Sequence, residues 1–296
     1  MGCRVVVILG ALFCAASTFA DESAFAFLQK AASRASQTNY YGVCSYHTDD
    51  GLDGSFKFAH FRDGVDDKNI IETLSWSTPF EKSFDKKHSV IVRRGSFLAR
   101  IDRFIPELAQ SHYDLRLGQE ANIADHKARV LYIIPKDAYR YGHQFWVDEK
   151  TGLLLGYRIL AEANKVIEEV RCHRLKAITR SPLKSETWEA ISHAPKKEAL
   201  GFVEKVALPR YFPGHDKPLT QLFFTDGFTS FSVFIENSDV GHEPLKDHFS
   251  RFGATAKLTT VKNGYKITAV GEVPKHTLEK AIETILASGV SPAVLP

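Results

Sequence analysis

The chain has little cysteine: four in 296 residues, with Cys3 and Cys14 inside the first twenty. The remaining pair, Cys44 and Cys172, stands isolated, which excludes a metal centre built on clustered cysteines. Charge of one sign is scarce too. With 38 basic and 35 acidic residues the net charge is +3, far from the clustered basic excess of a nucleic-acid binder. Beyond residue 20 no apolar run is long enough to span a bilayer. There is no HExxH, no GxSxG elbow, no P-loop and no GxGxxG after a strand, so the chemistries those motifs carry have no support here. The 12 histidines are scattered singly, and the carboxylates show no pairing that marks acid–base work. The chain therefore offers no catalytic residue, no metal ligand and no cofactor motif, and internal repeats and low-complexity runs are absent as well.

What is there is an ordinary globular composition, 44% hydrophobic and 25% charged, in a chain long enough for two domains. The N-terminus reads as an export signal. Arg4 supplies the positive end, Val5 to Ala16 is apolar but too short to cross a membrane, and Thr18-Phe19-Ala20 is a small-x-small cleavage site. Cleavage after Ala20 removes one basic residue, leaving 37 − 35 = +2. Phe13 is too large for a lipoprotein site at Cys14. The expected address is the periplasm. In that oxidising compartment Cys44 and Cys172 either pair or remain two buried thiols.

The spacing predicts a helix over residues 23–36, with Phe25, Leu28, Ala32 and Ala35 on one face. Strands are predicted at Tyr40–His47, Ser55–Phe61, Val90–Arg93, Phe97–Ile101, Arg129–Ile134, Gln144–Val147, Leu153–Leu160 and Val166–Leu175. A short helix is expected within Phe104–Ser111. Gly152, in the turn Asp148–Gly152, suits a left-handed position. Several of these strands are apolar on both faces, which predicts a sheet wrapped around a cavity able to take an acyl chain. The polar, proline-bearing stretch 179–195 reads as a linker, dividing the chain into 1–20, 21–178, 179–195 and 196–296. In the last segment Asp226-Gly227 and Asn263-Gly264 each signal a two-residue hairpin turn. A helix is expected around Pro244–Phe252. Another follows Pro274, with Leu278, Ala281, Ile282, Ile285 and Leu286 as its apolar stripe.

Two features bear on binding. The block Pro135-Lys-Asp-Ala-Tyr-Arg-Tyr-Gly142 leads to Trp146. Lys136, Tyr139, Arg140, Tyr141 and Trp146 form either a cationic-aromatic ligand mouth or a structural loop whose tyrosines pack on strand ends. The first C-terminal hairpin is apolar on both faces: Leu222, Phe224, Phe231, Val233 and Ile235 on one, Leu219, Phe223, Phe228 and Phe234 on the other. A two-layer domain needs one such face for its core. The second meets a helix, the N-terminal domain or a partner, and these four residues are the candidate partner-binding set.

The PKDxYRYG block, the following WVDxxTGLLL and the strand ending Val166-Ile-Glu-Glu-Val170 resemble the RseB/MucB family of periplasmic regulators. Further fragments occur in the same order: Phe27-Leu28-Gln29, Tyr41-Gly42, His60 to Gly64, Ile123-Ala124, Phe224 to Glu236 and Val270-Gly-Glu-Val-Pro274. One departure is that Trp188 and Gly201-Phe202 stand where family members carry a W…LPxGF motif, but Pro195 lies several residues upstream of the glycine. The resemblance implies an α+β protein. Its N-terminal domain would be an unclosed antiparallel β-barrel like LolA and LolB, plugged by helices, with a smaller mixed C-terminal domain. It implies a non-enzymatic negative regulator of an envelope-stress sigma factor. Such a protein binds the periplasmic domain of an RseA/MucA-like anti-sigma factor, protects it from proteolysis, and is released by lipid, lipopolysaccharide or a lipoprotein acyl chain. A periplasmic lipid or lipoprotein carrier is the alternative. Oligomeric state stays open, a homo-oligomer included.

Overall fold

The computed structural model describes residues 23–35, 38–63, 66–77, 90–93, 105–178, 198–210, 219–237 and 247–288. The expected leader, the expected linker and the strand expected at Phe97–Ile101 lie outside them.

The first unit runs α1 (Ala24–Ala35), β1 (Asn39–Thr48), β2 (Asp53–Asp63), β3 (Asp66–Ser77), β4 (Val90–Arg93), α2 (Pro106–Ala109), β5 (Tyr113–Ile123), β6 (His126–Pro135), β7 (Gly142–Asp148), β8 (Leu154–Leu160) and β9 (Val166–Ile178). Its nine strands pair in the order β4-β3-β2-β1-β9-β8-β7-β6-β5, and every pairing is antiparallel. The edge strands β4 and β5 do not pair with one another, so the sheet stays unclosed. Period-two alternation sends one set of side chains to a covered face. Register lines Leu131, Phe145, Tyr157, Val170 and Tyr46 into a row across five strands, and all five are buried. Each such side chain contributes about 1.5–3 kcal/mol by leaving water. Helix α1 covers part of this face with Phe27, Leu28 and Ala31. Its start is capped by Ser23, whose Oγ accepts from the Ala26 amide at 3.1 Å. Gly152 has φ +75, and a Cβ there would strike the backbone of Ala31, so both the turn and the seating of α1 require glycine. Cys44 and Cys172 face each other in the β1–β9 register and are joined by a disulfide.

The second unit holds β10 (Glu198–Ala199), β11 (Phe202–Arg210), β12 (Leu219–Thr225), β13 (Ser230–Asn237), β14 (His248–Phe252), β15 (Thr255–Lys262), β16 (Tyr265–Gly271) and α3 (Lys275–Ala287). The sheet order is β10-β11-β12-β13-β16-β15-β14. Leu278, Ala281, Ile282 and Ile285 of α3 bury against Leu222, Phe224, Phe231, Val233 and Ile235, the hairpin face expected to form the core.

The short helix expected within Phe104–Ser111 is present as the single turn Pro106–Ala109, and two other expectations are corrected. His248–Phe252 is a strand, not part of a helix; its side chains are mostly exposed along a sheet edge, so no apolar face marks its period. The Asp226-Gly227 turn is a four-residue loop: Thr225 pairs with Ser230, and the Asp226 amide donates to the Thr229 carbonyl. Phe228 therefore leaves the sheet instead of sharing a face with Phe223 and Phe234.

Candidate functional site at the junction of the two sheets

The loop Asp226–Thr229 is built by its own side chains. Asp226 Oδ1 accepts from the Phe228 and Thr229 amides at 2.9 and 2.8 Å. Thr225 Oγ1 accepts from the Gly227 amide at 3.1 Å and donates to the Thr229 carbonyl at 2.8 Å. Shaped in this way, the loop enters the first unit. The Ile105 amide donates to the Gly227 carbonyl at 2.7 Å. Gly227 itself has φ +93, and a Cβ on it would strike the Ile105 carbonyl oxygen and Leu108. Beyond it the Phe228 ring sits 4.7 Å from His143, 5.6 Å from Tyr113 and 5.7 Å from Phe145, centroid to centroid.

Beside this ring lies a buried ion pair. Arg140 Nε donates to Asp226 Oδ2 at 2.7 Å, and both side chains are 0% exposed. Tyr113 donates its hydroxyl to the same oxygen at 2.8 Å. Burial first, then the neighbouring carboxylate, hold the Tyr113 hydroxyl protonated well above its ordinary range. Arg140 also pairs with Asp137, donates to the Leu200 carbonyl at 2.8 Å and lies 4.5 Å above the Phe202 ring. Each of the three guanidinium nitrogens thus donates to an acceptor and the face of the group meets a ring, which offsets the cost of burying the charge. His112 stands nearby; burial and then the Arg140 charge lower its pKa.

A second docking point uses the β14–β15 turn. The Ala254 amide donates to Glu168 at 2.9 Å, and Tyr157 donates to the other oxygen of that buried carboxylate at 2.7 Å. Arg251 pairs with Asp49 at 2.8 Å. Burial alone would raise the Asp49 carboxyl, but hydrogen bonds from Lys165 and Arg251 more than offset it and the pKa falls. A third contact is Thr277 at the start of α3, whose hydroxyl donates to the Tyr139 carbonyl at 2.9 Å.

The five residues expected at a ligand mouth do not converge. Arg140 is spent on Asp226, and the Tyr139 ring lies 5.6 Å from His276 of the second unit. Tyr141 is buried. Lys136 is half-exposed and donates to the Gln110 carbonyl. Trp146 points to the opposite face of the sheet, under Arg158 and Arg171 at 5.2 and 5.9 Å. The block is a domain-docking loop, closer to the structural reading of its tyrosines. Of the four candidate partner residues, Leu219, Phe223 and Phe234 share the half-buried outer face of the second sheet, while Phe228 is packed inside. Asp226 and Tyr113 carry the junction without having been singled out for it. Asp226 was legible as a turn residue, but its partner Arg140 lies 86 positions away.

A cleft of about 300 Å³ opens between α1 and β5–β7, lined by Phe27, Lys30, Arg34, Leu117, Arg129 and Glu149 among others. Its charged rim differs from the apolar cavity expected. Among the described residues no group of three His, Cys, Asp or Glu side chains is placed to hold a metal ion, and no helix is long and apolar enough to cross a membrane.

Residues 81–191 match the model of the MucB/RseB N-terminal domain, and residues 184–286 that of the MucB/RseB C-terminal domain. The sigma factor AlgU regulatory protein MucB of Pseudomonas aeruginosa is 29% identical over 204 residues, covering 62% of this chain and 64% of that protein. The chain thus matches a little under two thirds of that relative's length. The sigma-E factor regulatory protein RseB of Salmonella typhimurium is 22% identical over 94% of this chain and 95% of its own. MucB in the Pseudomonas aeruginosa MucA/MucB complex superposes with a TM-score of 0.64 at 24% identity, over 87% of this chain and 96% of that one. A crystal structure of MucB gives 0.59 at 22% identity, over 87% and 95%. At these identities the structural likeness speaks for the fold.

Proposed function

This chain belongs to the MucB/RseB family, and from that premise we propose that it is a negative regulator of an envelope-stress sigma factor. It acts by binding the periplasmic part of a membrane anti-sigma factor and shielding it from proteolysis. The observation that carries the reading is the order of the two family models, which together run over residues 81–286. Relatives named as regulators of AlgU and sigma-E support it. The address we propose is the periplasm, supported by the leader-like residues 1–20 and by the Cys44–Cys172 disulfide. The division at 179–195 belongs to the same proposal.

Release requires a signal that prefers the free protein to the complexed one, since a ligand shifts an equilibrium only by its differential affinity. Lipid, lipopolysaccharide or a lipoprotein acyl chain fills that role in this reading. The outer face of the second sheet, with Leu219, Phe223 and Phe234, is the surface we assign to the anti-sigma segment. The test is to mix the mature chain with the purified periplasmic segment of the anti-sigma factor and follow its cleavage by the initiating protease. Slower cleavage, relieved by added lipid, is expected. An unchanged cleavage rate at saturating protein overturns the reading.

A further inference from the structure

The Leu200–Gly201 turn joins β10 to β11 in a hairpin with two paired positions, Glu198 with Val203 and Ala199 with Phe202. Both turn residues have positive φ, 57 and 77. For Leu200 this left-handed backbone is strained, so the hairpin holds little stability of its own. It is held against the first unit instead. A Cβ on Gly201 would lie 2.4 Å from His112 Cε1, 3.0 Å from His112 Nε2 and 2.8 Å from Arg140 Nη2. The same Nη2 donates to the Leu200 carbonyl at 2.8 Å. The turn thus rests on an imidazole and a guanidinium that meet at one spot. His112 lies in the loop between α2 and β5. Its amide donates to the Ala109 carbonyl and its carbonyl accepts from the Lys136 amide, so the backbone that carries the ring belongs to the first unit.

We propose that His112 is an acid-released latch: a proton on its ring lifts the Leu200–Gly201 turn from the first unit and loosens the docking of the second. Arg140 stands beside the ring with a permanent positive charge. Asp226 and Asp137 face the same spot, but both are engaged by Arg140, and Glu198 is exposed at the start of β10. The Lys136 ammonium is turned to the Gln110 carbonyl and Asp114. An imidazolium packed under the turn is therefore a second cation against Arg140, with no carboxylate of its own. Burial and then Arg140 hold the His112 pKa below its ordinary value, against the opposing pull of Asp226, Asp137 and Glu198. By linkage the lifted state, with the ring in water, takes up the proton more readily than the docked state. Docking is complete above about pH 6.5 and weakens as the pH falls below it. Lifting the turn also strips the Leu200 carbonyl from Arg140. The latch answers to a proton and needs neither a lipid nor the anti-sigma segment.

The test uses the full mature chain, isotope-labelled and followed by nuclear magnetic resonance from about pH 7.5 down to about pH 5, the range in which histidine titrates. A nuclear Overhauser contact between the His112 ring and the Gly201 α-protons is expected at the upper end and lost at the lower. Its loss and the titration of the His112 ring should share one midpoint below 6.5. A contact absent at the upper end, or one that persists while the ring titrates, overturns the latch. So does a ring midpoint at or above 6.5. His112→Gln keeps a polar side chain without the titrating ring. In that variant the Gly201 amide resonance should stay in place over the same range. A shift as large as in the wild type assigns the proton to another group and overturns the proposal. Should His112→Gln fail to fold, the two wild-type midpoints decide: a shared midpoint is expected, and unequal values overturn the proposal.

Discussion

Two hairpins of the second sheet carry the same kind of turn signal and are put to opposite uses. At Asn263-Gly264 the strands pair up to Lys262 and Tyr265, and both turn residues have positive φ, 53 and 78. This is the two-residue turn that the sequence demands, and a Cβ on Gly264 would meet nothing within 4 Å. At Asp226-Gly227 the loop is longer, and Asp226 is 0% exposed against Arg140. One turn ends a hairpin in solvent; the other is a docking element. The local signal specifies that the chain reverses, and the tertiary neighbourhood decides what the reversal is for.

Breaking the buried turn at its charge has the largest expected effect. Arg140→Ala leaves Asp226 buried with only the Tyr113 hydroxyl and its own loop amides, at a cost of about 3–5 kcal/mol. Differential scanning calorimetry should show the two units melting apart; an unshifted single transition would contradict this. A glycine pair then sharpens the contrast. Gly227→Ala combines left-handed backbone strain with collision against the Ile105 carbonyl, about 2–4 kcal/mol in urea unfolding. Gly264→Ala carries the strain alone, about 1 kcal/mol. Equal costs at the two positions would mean that the junction gives way around Gly227 without loss.

The smallest effect is that of pH. The folded pKa of His112 lies below its ordinary 6.5, so the unfolded chain binds the proton more readily. Stability is held above about pH 6.5 and falls as the pH drops through it. Asp49 is depressed below 3.8, so the stability it contributes is present above that value and is lost as the pH falls through its lower folded value. Between pH 7 and 5 the slope therefore belongs to His112 rather than Asp49. His112→Asn should flatten it in thermal melts; a slope that survives assigns it elsewhere.

The strands that alternate between water and core were legible. β1, β2, β6, β7, β8 and β9 fall where the sequence places them, as does α3, and the hairpins β12–β13 and β15–β16 flank the two turn signals. β5 was missed because its alternation is polar: Asp114, Arg116, Glu120 and Asn122 lie along an edge strand with little to bury on that side. β14 reads as part of a helix for the same reason. The junction was illegible for a different one. Arg140 stands in a run with Lys136 and two tyrosines that looks like an exposed cationic mouth, and nothing nearby in sequence announces a carboxylate arriving from the other unit. Phe228 reads as apolar and beside a turn, yet the four-residue loop that turns it out of the sheet depends on Asp226 and Thr225 side chains, which the two-residue signal conceals.

The Cys44–Cys172 disulfide joins the strand that opens the first unit to the one that closes it, 128 positions apart. Everything between them, including every hairpin turn from β1–β2 to β8–β9, lies inside one covalent ring. A protease that nicks any of those turns produces a cut chain but not two molecules. The severed ends stay tethered beside the strands they left, at an effective concentration that only reduction can dilute. A protein proposed to work in the periplasm and to hold a protease off can thus be cut once without coming apart.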